Sequence, residues 1–177
     1  MHMTRLTPFF SLLFFISFSS SSQNFLSTSG KSIVNEMGDT IILRGMGLGG
    51  WMVQEGYMMA PGGFSSTQYQ IRDKLTELIG PQETDIFYDN WLSNHVRKID
   101  IDSMKQWGFN LVRAPIHYNL FTEPIQNEPY PFAYTEKEKG YQLLDSLLSW
   151  CKQNEIYLMI DLHAAPGGQG YNADISD

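Results

Sequence analysis

The sequence predicts an α/β fold in which parallel strands are joined by crossover helices. Segments of strand character alternate with segments of helical spacing, and the two clearest strands both turn polar at their C-terminal ends. The last of them, Tyr157-Leu-Met-Ile-Asp-Leu-His-Ala164, passes directly into the glycine-rich Pro166-Gly-Gly-Gln-Gly170. Strand side chains alternate, so Leu158, Ile160, Leu162 and Ala164 share one face, and Tyr157, Met159, Asp161 and His163 the other. Helices cover both faces of a parallel sheet, so both sets are expected to be buried. Asp161 and His163 would then need partners.

Taken in order, Ile33–Met37 and Thr40–Arg44 flank Gly38-Asp39 and read as a small hairpin. The second arm continues into Gly45-Met-Gly-Leu-Gly-Gly-Trp51, where the glycines point to a close backbone approach within a first strand. Ser66 or Thr67 can cap a helix carrying Ile71, Leu75, Leu78 and Ile79, which stops at Gly80-Pro81. Helices are also predicted over Glu83–His95 and Lys98–Trp107, the second stopped by Gly108. Asn110–Tyr118 reads as the next strand, with Pro115 marking its end because proline cannot donate to a ladder. A long loop rich in aromatic residues and proline follows, from Asn119 to Tyr134. Thr135 and Glu138 form a capping-box pattern, and Leu144, Leu147, Leu148 and Cys151 make the apolar stripe of the last helix.

Composition narrows the function classes. His2 and Arg5, the apolar run Phe9 to Phe18 and the serines 19–22 have the three-part layout of a secretory signal peptide, expected to be cleaved before Gln23. Its apolar core is about half the length that spans a bilayer. Residues 23–32 read as a polar linker and 33–177 as one domain. With 12 basic and 19 acidic residues and no basic patch, nucleic acid and anionic membrane surfaces are poor partners. An acidic, aromatic-rich, exported chain suits a neutral ligand, and aromatic rings suit the apolar faces of sugars. The single cysteine allows no intramolecular disulfide. No Asn-x-Ser/Thr sequon occurs, which points to a bacterial rather than a eukaryotic exporter. The histidines lack the paired spacing of a metal site, and no cofactor is expected.

Three motifs in order carry a resemblance: Arg44-Gly-Met-Gly-Leu-Gly-Gly-Trp51, Gly108-Phe-Asn-Leu-Val-Arg-Ala-Pro115 and Asp161-Leu-His-Ala-Ala-Pro-Gly-Gly-Gln169. Together they resemble glycoside hydrolase family 5, the cellulase-like enzymes, over nearly all of the chain from Ile33 onward. The resemblance implies a TIM (β/α)8 barrel, here its first three β/α units behind a short hairpin. It also implies hydrolysis of a β-glucan or related polysaccharide with retention of configuration. Two glutamates do that work: one protonates the leaving oxygen, while the other, about 5 Å away, attacks the anomeric carbon. The family carries them on strands four and seven, so both are expected beyond Asp177. A complete barrel takes about 250 residues, so the chain is expected to be an N-terminal fragment without either glutamate and inactive alone.

The resemblance implies that Arg113 hydrogen-bonds the nucleophilic glutamate and favours its charged form, and that His163 lines the subsite of the reacting sugar. The plain alternatives are a structural ion pair for Arg113 and a satisfied core position for His163. Asp161, one layer deeper, reads as structural. His117 and Tyr118 can border the sugar cleft, and Trp51 is either a sugar platform or packing. Gly47 stands where many relatives have asparagine, which removes a polar contact from strand one. Glu55, Glu123, Glu128 and Asp161 offer carboxylate pairs, but nothing in the sequence sets two of them at catalytic separation. Two other readings stay open: a non-catalytic carbohydrate-binding module using Trp51, Tyr118 and the aromatic loop, and a complete small α/β enzyme centred on Asp161 and His163.

Overall fold

The computed structural model describes residues 25–59 and 65–167, so the expected signal peptide over residues 1–22 lies outside the described residues. So does the segment from Gly168 to Asp177, the point beyond which the two glutamates are expected. The chain divides after Ile41 into two compact units. In the first, β1 (Ser27–Ser29) and β2 (Ser32–Val34) form an antiparallel hairpin turning at Gly30-Lys31. The stretch read as a linker thus supplies a strand, because Ser27 and Thr28 find partners in Val34 and Ile33. The expected hairpin around Gly38-Asp39 is reduced to a bridge between Val34 and Thr40, flanked by the Asn35 N–H to Asp39 carbonyl and Ile41 N–H to Ile33 carbonyl bonds. Asn35 closes that turn, its Oδ1 accepting from the amides of Met37 and Asp39 at 3.0 and 2.8 Å. The unit that holds the sheet therefore starts at Ile42 rather than Ile33.

The second unit runs β3 (Gly45–Gly47), α1 (Gly56–Met59), α2 (Gln68–Ile79), α3 (Pro81–Asn94), α4 (Lys98–Gln106), β4 (Leu111–His117), α5 (Glu138–Gln153) and β5 (Tyr157–Ala164). Its three strands are parallel in the order β3-β4-β5, with Gly47 beside Arg113 and Met159 beside Arg113 on the other flank. Helices join successive parallel strands, as the alternation in the sequence predicts. Thr67 is the cap of α2: its hydroxyl accepts from Gln70 N and the Gln70 side chain returns to the Thr67 amide.

Two local expectations give way to tertiary pairing. Pro115 does not end β4, which continues to His117. Odd-numbered residues of β4 bond towards β3, as Leu111 N to Arg44 carbonyl and His117 N to Met52 carbonyl show. Opposite Pro115 on that side the chain is turning through Gly49-Gly50-Trp51, so no acceptor loses a donor. The Thr135–Glu138 capping box is also absent, and α5 starts at Glu138 behind an uncapped Lys137. Glu128 takes Thr135 instead, accepting from its amide at 2.8 Å and its hydroxyl at 2.7 Å. Lys137 N bonds Phe121 carbonyl, which keeps the lead-in extended.

The core lies on the even face of β4. Val112, Ala114 and Ile116 pack against Ile101 and Met104 of α4 and Leu147 and Cys151 of α5. Burying a leucine such as Leu147 contributes about 1.5–3 kcal/mol, and its position seven residues after Gly140 and four before Cys151 places all three on one helix face. Burial pushes the Cys151 thiol up to about 11, as suits a small apolar filler. The odd face of β4 carries Arg113 and His117. The expectation that β5 is buried on both faces fails: Met159, Ile160 and Leu162 are exposed. Among the described residues β5 is an edge strand.

Candidate active site

β4 and the C-terminal half of β5 bring Arg113, Asp161 and His163 to one face, since Arg113 pairs with Met159 and Pro115 with Asp161 before the register shifts after Ile116. Arg113 Nη2 forms an ion pair with Asp161 Oδ2 and lies 3.1 Å from His163 Nδ1. That ring nitrogen is also 3.0 Å from Asp161 Oδ2. The other ring nitrogen, Nε2, lies 3.0 Å from Glu55 Oε1. Carboxylates only accept, so the imidazole is held between two acceptors, with the guanidinium adding positive charge beside Asp161.

Glu55 is the residue that sequence reasoning left unassigned. The first strand, expected to run to Trp51, is shorter: β3 stops at Gly47, the chain turns at Gly50 in the left-handed region (φ 75°), and Met52 returns to bridge Ile116. Three residues later Glu55 reaches His163 from above β4. Gly56 holds it there, since its amide donates to Ser66 carbonyl at 2.9 Å and a Cβ on Gly56 would lie 2.6 Å from Ser65 carbonyl oxygen. Only 4% of the Glu55 side chain is exposed. A carboxylate so buried needs partners, and among the described residues it has two: His163, and the Tyr57 hydroxyl, which donates to Oε2 at 3.0 Å. The same hydrogen bond holds the Tyr57 phenol above its ordinary value.

Three other candidates are elsewhere. Trp51 is 2% exposed and its indole N–H donates to Leu92 carbonyl at 2.9 Å, so it is packing and not a sugar platform. His117 is wholly buried, its Nδ1 accepting from Asn119 N at 3.2 Å and its ring stacked on Tyr118. Tyr118 is buried too, with its hydroxyl 3.2 Å from that of Tyr69. The tip of β4 therefore continues the core where the sequence suggested a cleft wall. Of the carboxylates, Glu123 pairs with Lys137 and Glu128 with Thr135, which leaves Glu55 and Asp161 as the two on this face among the described residues. The imidazole stands between them, so they are not a free acid and nucleophile. Gly47 leaves room beside Arg113, where an added Cβ would sit 4.0 Å from Nη1.

Comparison with known proteins converges on one family. Residues 67–177 match Cellulase (glycosyl hydrolase family 5). A β-xylosidase of Phanerodontia chrysosporium is 34% identical over 145 residues, 82% of this chain and 29% of the relative. Glucan 1,3-beta-glucosidase 2 of Saccharomyces cerevisiae is 32% identical over 74% of this chain and 26% of the relative. The chain thus spans less than a third of the length of these relatives. In fold, rutinosidase from Aspergillus niger superposes with a TM-score of 0.53 at 21% identity, covering 71% of this chain and 34% of that one.

Proposed function

The chain belongs to glycosyl hydrolase family 5, and from that premise we propose that it is the N-terminal part of an exported glycoside hydrolase acting on a β-glucan or related polysaccharide. The observation that carries the reading is the convergence of Arg113, Asp161, His163 and Glu55 at the C-terminal edge of a parallel sheet, the edge where β/α folds bind ligands. On this reading the remaining barrel strands, and the two glutamates of a retaining mechanism, are expected outside residues 1–177. In the assembled site His163 lines the subsite of the reacting sugar, its ring fixed by Asp161 on one side and Glu55 on the other. Arg113, with 42% of its side chain exposed, keeps donors for the nucleophilic carboxylate.

Turnover of an aryl β-glucoside by the full-length protein tests this. His163→Ala removes a hydrogen bond inside a charged cluster, worth about 1.5–3 kcal/mol, so kcat/KM is expected to fall about 10- to 150-fold. Unchanged kcat/KM in both His163→Ala and Arg113→Lys would sink the assignment. The 177-residue chain alone is expected to show no turnover. Hydrolysis by it that His163→Ala abolishes would instead favour a centre built on Asp161 and His163.

A further inference from the structure

A second cavity, of about 570 Å³, opens between α2, α3 and the connection from β4 to α5, and shares no residue with the site at Glu55 and His163. Its polar lining is prearranged from behind. Gln68 Oε1 accepts from Gln54 N at 2.9 Å, and Gln68 Nε2 donates to Asn119 Oδ1 at 3.3 Å, so both side chains are turned by bonds they already make. The Tyr88 hydroxyl donates to Gln54 Oε1 at 2.7 Å. Behind this wall Gln54 Nε2 is buried and has no partner among the described residues. Asn119 Nδ2 and the side-chain amide of Asn127 likewise carry no hydrogen bond among the described residues, and both residues line the cavity.

Its charge is cancelled internally. Arg72 pairs with Asp85, Lys137 with Glu123 at 3.4 Å and Lys139 with Asp89 at 2.8 Å. Each cation in the lining thus has its own carboxylate, so neither an anion nor a cation finds an uncompensated counter-charge. Leu92, Leu120 and Pro124 add apolar surface, and Tyr69 and Tyr88 add ring edges. The side-chain amides of Asn119 and Asn127, together with tyrosine ring edges and apolar patches, form a lining without net charge, which is complementary to a neutral polyol, whose hydroxyls need hydrogen bonds and whose C–H faces need apolar contact.

We propose that this cavity is a second, non-catalytic oligosaccharide site, which holds a polysaccharide chain while the Glu55–His163 site engages another segment. The engagement of that other segment and the choice of probe rest on the function proposed above. The test is native gel electrophoresis of the full-length protein through gels containing laminarin, a β-1,3-glucan, or xylan. Wild type and His163→Ala are expected to be retarded alike in one of the gels. Asn127→Trp, which fills the rim, and Asn119→Ala, which deletes an amide without adding bulk, are expected to weaken retardation at least about fivefold, the loss of one or two hydrogen bonds to the ligand. Both are expected to keep wild-type turnover of the small aryl glucoside, which also shows that they fold. Retardation lost in His163→Ala but intact in both asparagine variants would overturn the second site and leave the proposed function standing. Absence of retardation of the wild type in both gels would overturn it too. Retardation sensitive to Asn119→Ala in a protein without glycosidase turnover would uphold the cavity while refuting the catalytic reading.

Discussion

β4 and β5 are paired along their length, and both are rich in aliphatic residues, yet only one behaves as a core strand. In β4, Val112 and Ala114 are wholly buried and Ile116 nearly so. In β5, Met159, Ile160 and Leu162 are 45, 55 and 57% exposed. The difference is one of position. β4 has a strand on each side and α4 and α5 over its even face, whereas β5 has a single strand neighbour among the described residues, and on its even face only Leu158 and Ala164 are covered. Composition made both segments strands. The neighbours decided which of them is covered.

The sharpest way to break this contrast is to place a charge on the even face of each strand. Val112→Asp buries an unpaired carboxylate and is expected to prevent cooperative folding, because the desolvation cost of several kcal/mol approaches the whole stability of a small domain. Ile160→Asp, with more than half of its surface open, is expected to shift stability by less than about 0.5 kcal/mol in the 177-residue chain, read from the urea midpoint. In the full-length protein the same Ile160→Asp change is expected to cost more than about 2 kcal/mol, because a further helix would cover that face. Equal effects in the two lengths would show that the face is never covered.

A smaller effect separates neighbours on α5. Leu147 is wholly buried against β4, and Leu148 is 38% exposed. Leu147→Ala is expected to lower stability by about 2–5 kcal/mol and Leu148→Ala by well under half of that, both read from denaturant midpoints. The smallest effect is electrostatic, at the lead-in to β5. The Asp102 carboxylate on α4 accepts from Lys98 at 2.7 Å and from Asn154, just before β5, at 2.7 Å, and these bonds hold its pKa below the ordinary 3.8. A depressed carboxylate stabilises the fold fully above its unfolded value, and the contribution fades as pH falls through the lower folded value. Between about pH 5 and 2, Asp102→Asn is therefore expected to show a shallower loss of thermal stability than wild type, and an identical slope would remove Asp102 from that limb.

Much of the architecture is legible because it depends on near neighbours in the chain. The helix over Gln68–Ile79 follows from Thr67, Gln70 and the spacing from Ile71. The parallel order follows from strands separated by helices. The polar tips Arg113, Asp161 and His163 are visible as breaks in otherwise apolar strands, and their shared face follows from period two. Where a local pattern met a competing long-range bond it lost, as at Thr135, which Glu128 captures, and at Pro115, whose missing donor falls opposite a turn in the neighbouring chain.

Fold class, the positions of the longer helices and the polar residues on the strands were thus determined by the sequence itself, since propensity, capping and alternation act over a few residues. Tertiary structure alone decided which of those residues meet. It folded the glycine-rich segment after β3 back over β4, placing Glu55 against His163 across 108 positions of sequence. It also buried Trp51, His117 and Tyr118, which the sequence left free to be cleft residues. The reason is physical: a turn at Gly50 and a close backbone contact at Gly56 set those distances, and both depend on atoms far away in the chain.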